Sequence, residues 1–335
     1  MIVLLKKNIN EEDINALVKK LKELFECEIN SYCQSGRTVL FISGANIPPL
    51  FLAGYAIVDE VVPLTEPRLR HPREGLYAEP VAVGDLMIGG GNLTVIAGPC
   101  TVESEEQIMD IAALVKKAGA HILRGGSYKL RHSPYAFQGM GEEGLRLLAE
   151  AGRQNGLPII SEITSPVQAE LFAETSDILQ IGARNMYNFE LLKEVGKTLR
   201  PVLLKRGLSA TIEEWLRAAE YIWDTGNHQI ILCERGIRTF EPYTRNTLDL
   251  GAVCAAKRLS GLPVLVDPSH ACGISWMVEP LSLAAVVAGA DGIMVEVHND
   301  PTQALCDAQQ ALDGESFAAL MKKVAAYAPL CGRSM

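Results

Sequence analysis

One thiol, two imidazoles, several carboxylates and eight cations stand at or just beyond the ends of short apolar runs in this chain. The cations are Arg124, Lys129, Arg131, Arg184, Lys205, Arg206, Arg235 and Arg245. A guanidinium fork matches phosphate and carboxylate oxygens two at a time, and a lysine adds a movable point charge. So many cations exceed the needs of one phosphate. They suit two anionic ligands, or one that carries phosphate and carboxylate together. Any single arginine among them serves equally well in a strand-end ion pair to Glu162, Glu234 or Glu296.

A second group combines Cys100, His270, Glu296 and Asp307. Such side chains can surround one divalent ion and leave a position open for water or substrate. Mixed sulfur, nitrogen and oxygen ligation does not select sharply among manganese, iron, cobalt and zinc. No local signature such as HExxH accompanies the group. Cys100 also reads as a small buried hydrophobe, and His270 as an acid or base without metal.

Both groups need a scaffold that gathers distant residues at one place. The apolar runs are IAGPC ending at Cys100, HILRGG at Arg124, PIISE at Glu162 and ILQIGAR at Arg184. PVLLKRG follows with Lys205 and Arg206, QIILCERG with Glu234 and Arg235, PVLVDPSH with Asp267 and His270, and GIMVEVH with Glu296 and His298. Helical stretches alternate with them and carry start signals of the capping-box kind: Ser104 with Gln107, Ser165 with Pro166 and Gln168, Thr211 with Glu214. This rhythm predicts an α/β protein built on a (β/α)8 TIM barrel, in which every strand ends at the same face. Closure makes the last two strands neighbours of the first, so Cys100, His270, Glu296 and Asp307 are expected to meet.

The chain has 335 residues, 48% apolar and 21% charged, which suits a globular protein with a sizeable core and excludes fibrous and disordered classes. No stretch approaches the roughly 18 to 20 apolar residues of a membrane span. The start MIVLLKKN runs apolar before basic, the reverse of a secretory signal, so a cytoplasmic protein is expected. Eight dispersed cysteines without a CxxC pair read as reduced thiols. A net charge of −9 argues against nucleic acid or an anionic membrane as partner. The cations would then form a local positive pit in an acidic protein.

Residues 1–65 read as a separate ferredoxin-like βαββαβ unit: a strand from Ile2 to Leu5, a helix, strands over 27–32 and 38–42, a short helix, and a strand over 57–62. Asn10 is the expected N-cap of the first helix, and Pro48 with Pro49 can open the second. Nothing in this unit looks catalytic. A regulatory role is expected, although a structural or oligomeric one is equally allowed. Residues 66–80 read as linker, and 81–335 as the catalytic barrel with an N-terminal hairpin, strands 83–88 and 93–96 turned by Gly89, Gly90 and Gly91. That glycine triplet precedes a strand instead of joining strand to helix, so it reads as a turn and not as a phosphate loop.

The motifs IAGPC, RGGSYKLRHSPYAFQG, SEITSP, IGARNM, LLKRG, ERGIRTFE, TRNTLDL, VDPSH and MVEVHNDP follow one another in a familiar order and spacing. Across the whole barrel the chain resembles the 3-deoxy-D-arabino-heptulosonate 7-phosphate (DAHP) synthases, of the short type related to 3-deoxy-manno-octulosonate 8-phosphate synthase. The N-terminal unit resembles the regulatory domain that some members carry. The resemblance implies a metal-dependent, aldol-type condensation of phosphoenolpyruvate with erythrose 4-phosphate, the first step of the shikimate pathway. It implies that Arg184, Lys205 and Arg235 hold the phosphoenolpyruvate phosphate, and Arg124 and Lys129 its carboxylate end. Arg131, His132 and Asp267 would serve the aldehyde substrate, with Asp267 or Glu162 alternatively orienting a neighbouring group. Cys100, His270, Glu296 and Asp307 would bind Mn2+, Fe2+, Co2+ or Zn2+. Lys129 would move a proton, with His270 and Cys100 beside it at the reacting centre. A homotetramer and an aromatic amino acid effector are further implications.

Three departures bear on these expectations. Where the family usually has KPRT, this chain has Lys129, Leu130, Arg131 and His132. Loss of the proline loosens the loop, and His132 sets a titratable ring in place of a small hydroxyl, either as packing or as a phosphate contact when protonated. Ala308 follows Asp307 where glycine is usual, and CEINSYCQSGRT (27–38) departs from the regulatory domains where an aromatic amino acid would bind. Two rivals follow: a synthase that uses another phosphorylated aldose such as arabinose 5-phosphate, whose relatives usually carry KANRSS at this loop, and a non-catalytic barrel that senses metabolites.

Overall fold

The structure, a computed structural model, describes residues 1–34, 37–45, 47–62, 80–131 and 133–335. The expected linker, apart from Pro80, and His132 lie outside the described residues. The chain divides into two compact units, Met1–Arg68 and Leu69–Met335.

In the first unit the order is β1 (Ile2–Leu5), α1 (Glu11–Leu24), β2 (Glu28–Gln34), β3 (Arg37–Ser43), α2 (Pro49–Ala53) and β4 (Val58–Val62). The strands form one antiparallel sheet in the order β2-β3-β1-β4, the ferredoxin-like arrangement. Asn10 caps α1 by accepting from the Asp13 N–H at 2.8 Å. Leu17 and Leu21 of that helix pack on Val3, Leu5, Leu40 and Ile42 of the sheet. Pro48 and Pro49 open α2, where the missing N–H costs nothing.

The second unit starts with a hairpin that differs from the expected one. It pairs β5 (Val81–Val83) with β6 (Leu86–Ile88) across a turn at Gly84 and Asp85, where Gly84 takes φ +58°. The glycine triplet is instead the turn after β6, closed by an Asn92 N–H to Gly89 carbonyl bond of 3.1 Å. The reason is burial. Val81, Val83 and Ile88 pack among Ile96, Ile122, Ile160, Ile178, Leu203, Ile231 and Leu265 inside the barrel, which needs the two strands folded on one another.

The barrel strands are β7 (Thr94–Gly98), β8 (Ile122–Arg124), β9 (Ile159–Ile163), β10 (Ile178–Ile181), β11 (Val202–Lys205), β12 (Ile230–Glu234), β13 (Val264–Val266) and β14 (Gly292–Glu296). They are parallel, and β14 closes on β7 from Gly292 opposite Thr94 to Glu296 opposite Gly98. Alternation fixes the layers: Ile96, Leu203, Ile231 and Met294 fill the inside, while Val95, Leu204, Leu232 and Val295 meet the helices. Each such fully buried side chain contributes about 1.5–3 kcal/mol.

The helices are α3 (Glu105–Ala118), α4 (Gly141–Asn155), α5 (Ala169–Thr175), α6 (Phe189–Lys197), α7 (Ile212–Trp223), α8 (Leu250–Ser260), α9 (Pro268–Cys272), α10 (Ser275–Val287) and α11 (Gly314–Tyr327). Thr211 and Glu214 form a reciprocal capping box at α7. Ser104 caps α3 through the Gln107 N–H, but the Gln107 side chain reaches Glu103 instead of Ser104. Among the described residues no helix is long and apolar enough to cross a membrane.

Candidate active site

Four side chains converge where β13, β14 and β7 adjoin at their carboxyl ends. Cys100 follows β7, His270 lies in α9 just beyond β13, Glu296 ends β14, and Asp307 comes from the loop after β14. One ligand atom from each lies within 4.8 Å of all the others. Cys100 Sγ is 3.3 Å from Asp307 Oδ2, and His270 Nε2 is 3.2 Å from Glu296 Oε1. Asp307 takes a left-handed backbone, φ +52°, which aspartate tolerates better than most residues. Ala308 takes no positive φ, so the family's glycine is not needed there. Gly98, at φ +150°, lets β7 approach Arg124: a Cβ there would sit 2.1 Å from the Arg124 carbonyl oxygen.

Each donor is oriented from behind. Asp267, fully buried, accepts from His270 Nδ1 at 2.8 Å and from the His270 N–H at 2.9 Å, and its Oδ2 also pairs with Lys205. Nε2 of His270 is thereby the nitrogen that faces Glu296. Gln310 Nε2 donates to Glu296 Oε2 at 2.7 Å, while Arg124 Nη1 donates to Oε1 at 2.7 Å. Burial alone would raise the Glu296 carboxyl, but His270, Arg124 and Lys129 pull it down to about 2. Burial lowers His270 to about 4 against the pull of Asp267 and Glu296, so the imidazole is neutral and available as a donor at neutral pH. Lys129 Nζ lies 3.0 Å from Cys100 Sγ and 3.6 Å from Asp307. Burial opposes its charge, and the surrounding Cys100 and Glu296 more than restore it.

Beside this group opens a cavity of about 250 Å³. Lys129, Arg184, Lys205, Arg235, Arg238 and Arg245 bring cations to its wall, with Glu162 and His270. Arg235 Nη1 is buried without a hydrogen-bond partner. Burial depresses the Arg235 charge, and neighbouring Arg245 and Arg184 add to that. A buried guanidinium nitrogen without an acceptor is costly, and an anion in the cavity is the group that would satisfy it. A Cβ at Gly182 would sit 2.0 Å from Glu162 Oε1, so any larger residue there would displace that carboxylate from the wall.

Several expected residues sit elsewhere. Arg206 turns away from the cavity and pairs with Glu234 at 3.0 Å and Asp249 at 2.9 Å, the ion-pair use of a strand-end arginine. Asp267 lies beneath His270 and is not on the cavity wall, and Arg124 also stands behind Glu296. Arg131 donates to Cys306 Sγ at the far side of the Cys100 group. The Lys129 N–H donates to the Gln138 carbonyl at 2.8 Å, which pins the base of the loop that lost its proline. His298 is held by Glu103 and Gln107 and does not join the donors. Sequence reasoning missed Arg238, Asn246 and Cys306 on loops and Gln310 at the end of the short 3-10 turn Ala308–Gln310, none of them in a periodic segment. Only the ERGIRTFE and TRNTLDL motifs hinted at the first two.

A parallel barrel whose mouth holds a cation-lined cavity beside a four-donor group defines a barrel enzyme fitted for anionic substrates and a divalent ion. The DAHP synthetase I family matches residues 68–329, and the chain belongs to it. Over 99% of both chains it is 45% identical to phospho-2-dehydro-3-deoxyheptonate aldolase of Thermotoga maritima. The crystal structure of that aldolase, also called DAHP synthase, superposes with a TM-score of 0.80 at 44% identity, covering 99% of this chain and 98% of that one. A truncated form of the 3-deoxy-D-arabino-heptulosonate 7-phosphate synthase from Thermotoga maritima gives 0.72 at 47% identity, over 79% of this chain and 95% of its own. The 2-dehydro-3-deoxyphosphooctonate aldolase of Geobacter sulfurreducens is 35% identical over 73% of this chain and 96% of its own length.

Proposed function

We propose that the chain condenses phosphoenolpyruvate with erythrose 4-phosphate and one water, giving 3-deoxy-D-arabino-heptulosonate 7-phosphate and inorganic phosphate. The unsatisfied Arg235 nitrogen in a cavity ringed by Arg184, Lys205 and Arg245 carries this reading, because it asks for a phosphate. Full-length similarity to a heptonate aldolase, against partial similarity to octonate aldolases, favours the four-carbon aldehyde.

In this reading Arg184, Lys205 and Arg235 hold the phosphoenolpyruvate phosphate, while Lys129 meets its carboxylate and Arg124 supports that end from behind Glu296. Arg131 receives the aldehyde phosphate. Cys100, His270, Glu296 and Asp307 fit a divalent ion by their mixed donors and their approach to one another. When bound, that ion supplies Lewis acidity at the aldehyde oxygen. The protein's own part is positioning and charge. Asp267 fixes the His270 tautomer, Gln310 and Arg124 fix the Glu296 carboxylate, and Lys129 stands between donors and cavity where it can pass a proton to the nascent alkoxide.

Mn2+, Fe2+, Co2+ and Zn2+ all suit these donors. The N-terminal unit is assigned regulation by an aromatic amino acid, and the assembly a homotetramer, on the resemblance to other members.

The test is phosphate release from phosphoenolpyruvate with erythrose 4-phosphate and with arabinose 5-phosphate, before and after chelation. Turnover with erythrose 4-phosphate that chelation abolishes and Mn2+ restores is expected. Turnover with only the five-carbon aldose would move the substrate assignment, and none with either would leave a sensing barrel.

A further inference from the structure

Arg245, on the loop between β12 and α8, belongs to the cation-lined wall and also touches the donor group. Its backbone is docked on α9, the helix that carries His270: the Arg245 N–H donates to the Cys272 carbonyl at 2.9 Å, and the Asn246 N–H to the Ala271 carbonyl at 2.8 Å. Gly273 permits that approach, because a Cβ there would sit 2.8 Å from the Arg245 Cβ. From this fixed base one guanidinium nitrogen reaches two side chains. Arg245 Nη1 donates to Gln310 Oε1 at 3.0 Å and stands 3.4 Å from Asp307 Oδ1.

The two contacts serve two different donors. Asp307 turns Oδ2 towards Cys100, His270 and Lys129, and Oδ1 is the oxygen that faces Arg245. Gln310 gives its oxygen to Arg245 and its amide nitrogen to Glu296 Oε2, so Arg245 selects the amide orientation that holds Glu296. The Arg245 side chain is 33% exposed, and a long side chain with that freedom pays entropy to keep such contacts. A phosphate that takes other N–H groups of the same planar fork would fix it in place. Burial depresses the charge of Arg235, and Arg245 is near enough to add to that, so an anion that meets the unpartnered Arg235 nitrogen lies within the field of both.

We propose that Arg245 is a positioning residue that couples the two halves of the site: its guanidinium meets the phosphate in the cavity and, by the same fork, holds Asp307 directly and Glu296 through Gln310 in place for the divalent ion. The proposal rests on the reading of the cavity as the phosphoenolpyruvate site and of the four donors as the metal site. Phosphoenolpyruvate then completes the donor group as it binds, and linkage makes the effect reciprocal.

Mn2+ binding to the metal-free, full-length protein is titrated by calorimetry with and without saturating phosphoenolpyruvate, with no aldehyde present so that nothing turns over. Phosphoenolpyruvate should raise Mn2+ affinity by about 5–150-fold, the usual range for coupled sites, and Mn2+ should raise phosphoenolpyruvate affinity by the same factor. Arg245→Met should remove most of that factor, and Arg245→Lys should not restore it, since an ammonium lacks the fork. Arg238→Met takes an equal charge from the same wall but leaves the contacts to Asp307 and Gln310, which belong to Arg245. It should weaken phosphoenolpyruvate binding and keep the factor intact, as would a purely structural defect. Absence of coupling in the unmodified protein, a measurement that needs no variant to fold, would overturn the proposal. So would a factor that survives in Arg245→Met, or one that falls equally in Arg238→Met, since attraction between the bound charges alone would then explain it. Failure of the unmodified protein to bind Mn2+ or phosphoenolpyruvate separately would sink the underlying reading, and the proposal with it.

Discussion

Replacing Asp267 with asparagine separates an orienting role from a substrate contact. The Asp267 carboxylate is fully buried and faces three donors: the His270 N–H, the His270 ring Nδ1–H and the Lys205 ammonium. Burial by itself would raise its pKa, yet His270, Lys205 and Arg124 hold it well below the usual carboxylate range. The Asp267→Asn side chain keeps one acceptor oxygen but sets an amide donor against the remaining donors. It also strips the counter-charge from Lys205, whose side chain is only 5% exposed. Breaking a buried pair from one side costs about 3–5 kcal/mol, because an uncompensated charge stays inside. At roughly 2–4 °C per kcal/mol, the barrel transition should fall by on the order of 10 °C. With the imidazole no longer held in its tautomer, Mn2+ affinity should fall about 10–100-fold.

Calorimetric Mn2+ titration reads the second effect, and thermal unfolding of the metal-free protein reads the first. A double variant, Asp267→Asn with Lys205→Met, should recover part of the stability, since the stranded charge is gone, but none of the metal affinity. If Asp267→Asn instead left melting and Mn2+ affinity intact and raised only the Michaelis constant for the aldehyde, Asp267 would be a substrate contact and the orienting argument would fail.

Gln310→Leu should lower Mn2+ affinity and cost about 1–3 kcal/mol of stability, since Glu296 Oε2 loses its 2.7 Å donor while still buried; titration and urea unfolding check this. Arg131→Ala should raise the Michaelis constant for the aldehyde far more than that for phosphoenolpyruvate, as measured by initial rates with each substrate varied in turn. A chain starting at Pro80 should fold and keep the condensation, while losing any response to tyrosine or phenylalanine that the full chain shows. A folded truncation without chemistry would place part of the active site in the N-terminal unit.

The barrel was legible because each strand announces itself twice, by an apolar run and by the polar residue at its exit. Strand order then brought Cys100, His270 and Glu296 together with no side-chain detail, since β13, β14 and β7 must adjoin for the barrel to close. The hairpin was misplaced for a local reason. Three glycines outweighed Gly84-Asp85 as a turn signal, although Val81, Val83 and Ile88 carry the alternation that a buried pair of strands requires. Gln310 and Cys306 were out of reach, because a loop has no period and their directions depend on Asp307 entering the left-handed region.

Lys205 and Arg206 show what pattern can decide even at a crowded strand end. They are consecutive at the end of β11, so the two-residue alternation of a strand sends them to opposite faces. Lys205 points inward to Asp267 and the cavity. Arg206 must then point outward, where it meets Glu234, Asp249 and the ring of Trp215. The same rule sets buried Glu234 towards the outer layer and the next residue, Arg235, towards the cavity. On β11 and β12 the charge is thus sorted by strand parity. Arg206 and Glu234 neutralise one another on the outside, while Lys205, held by Asp267, and Arg235 face the cavity. That sorting lets a chain of net charge −9 keep a positive cavity.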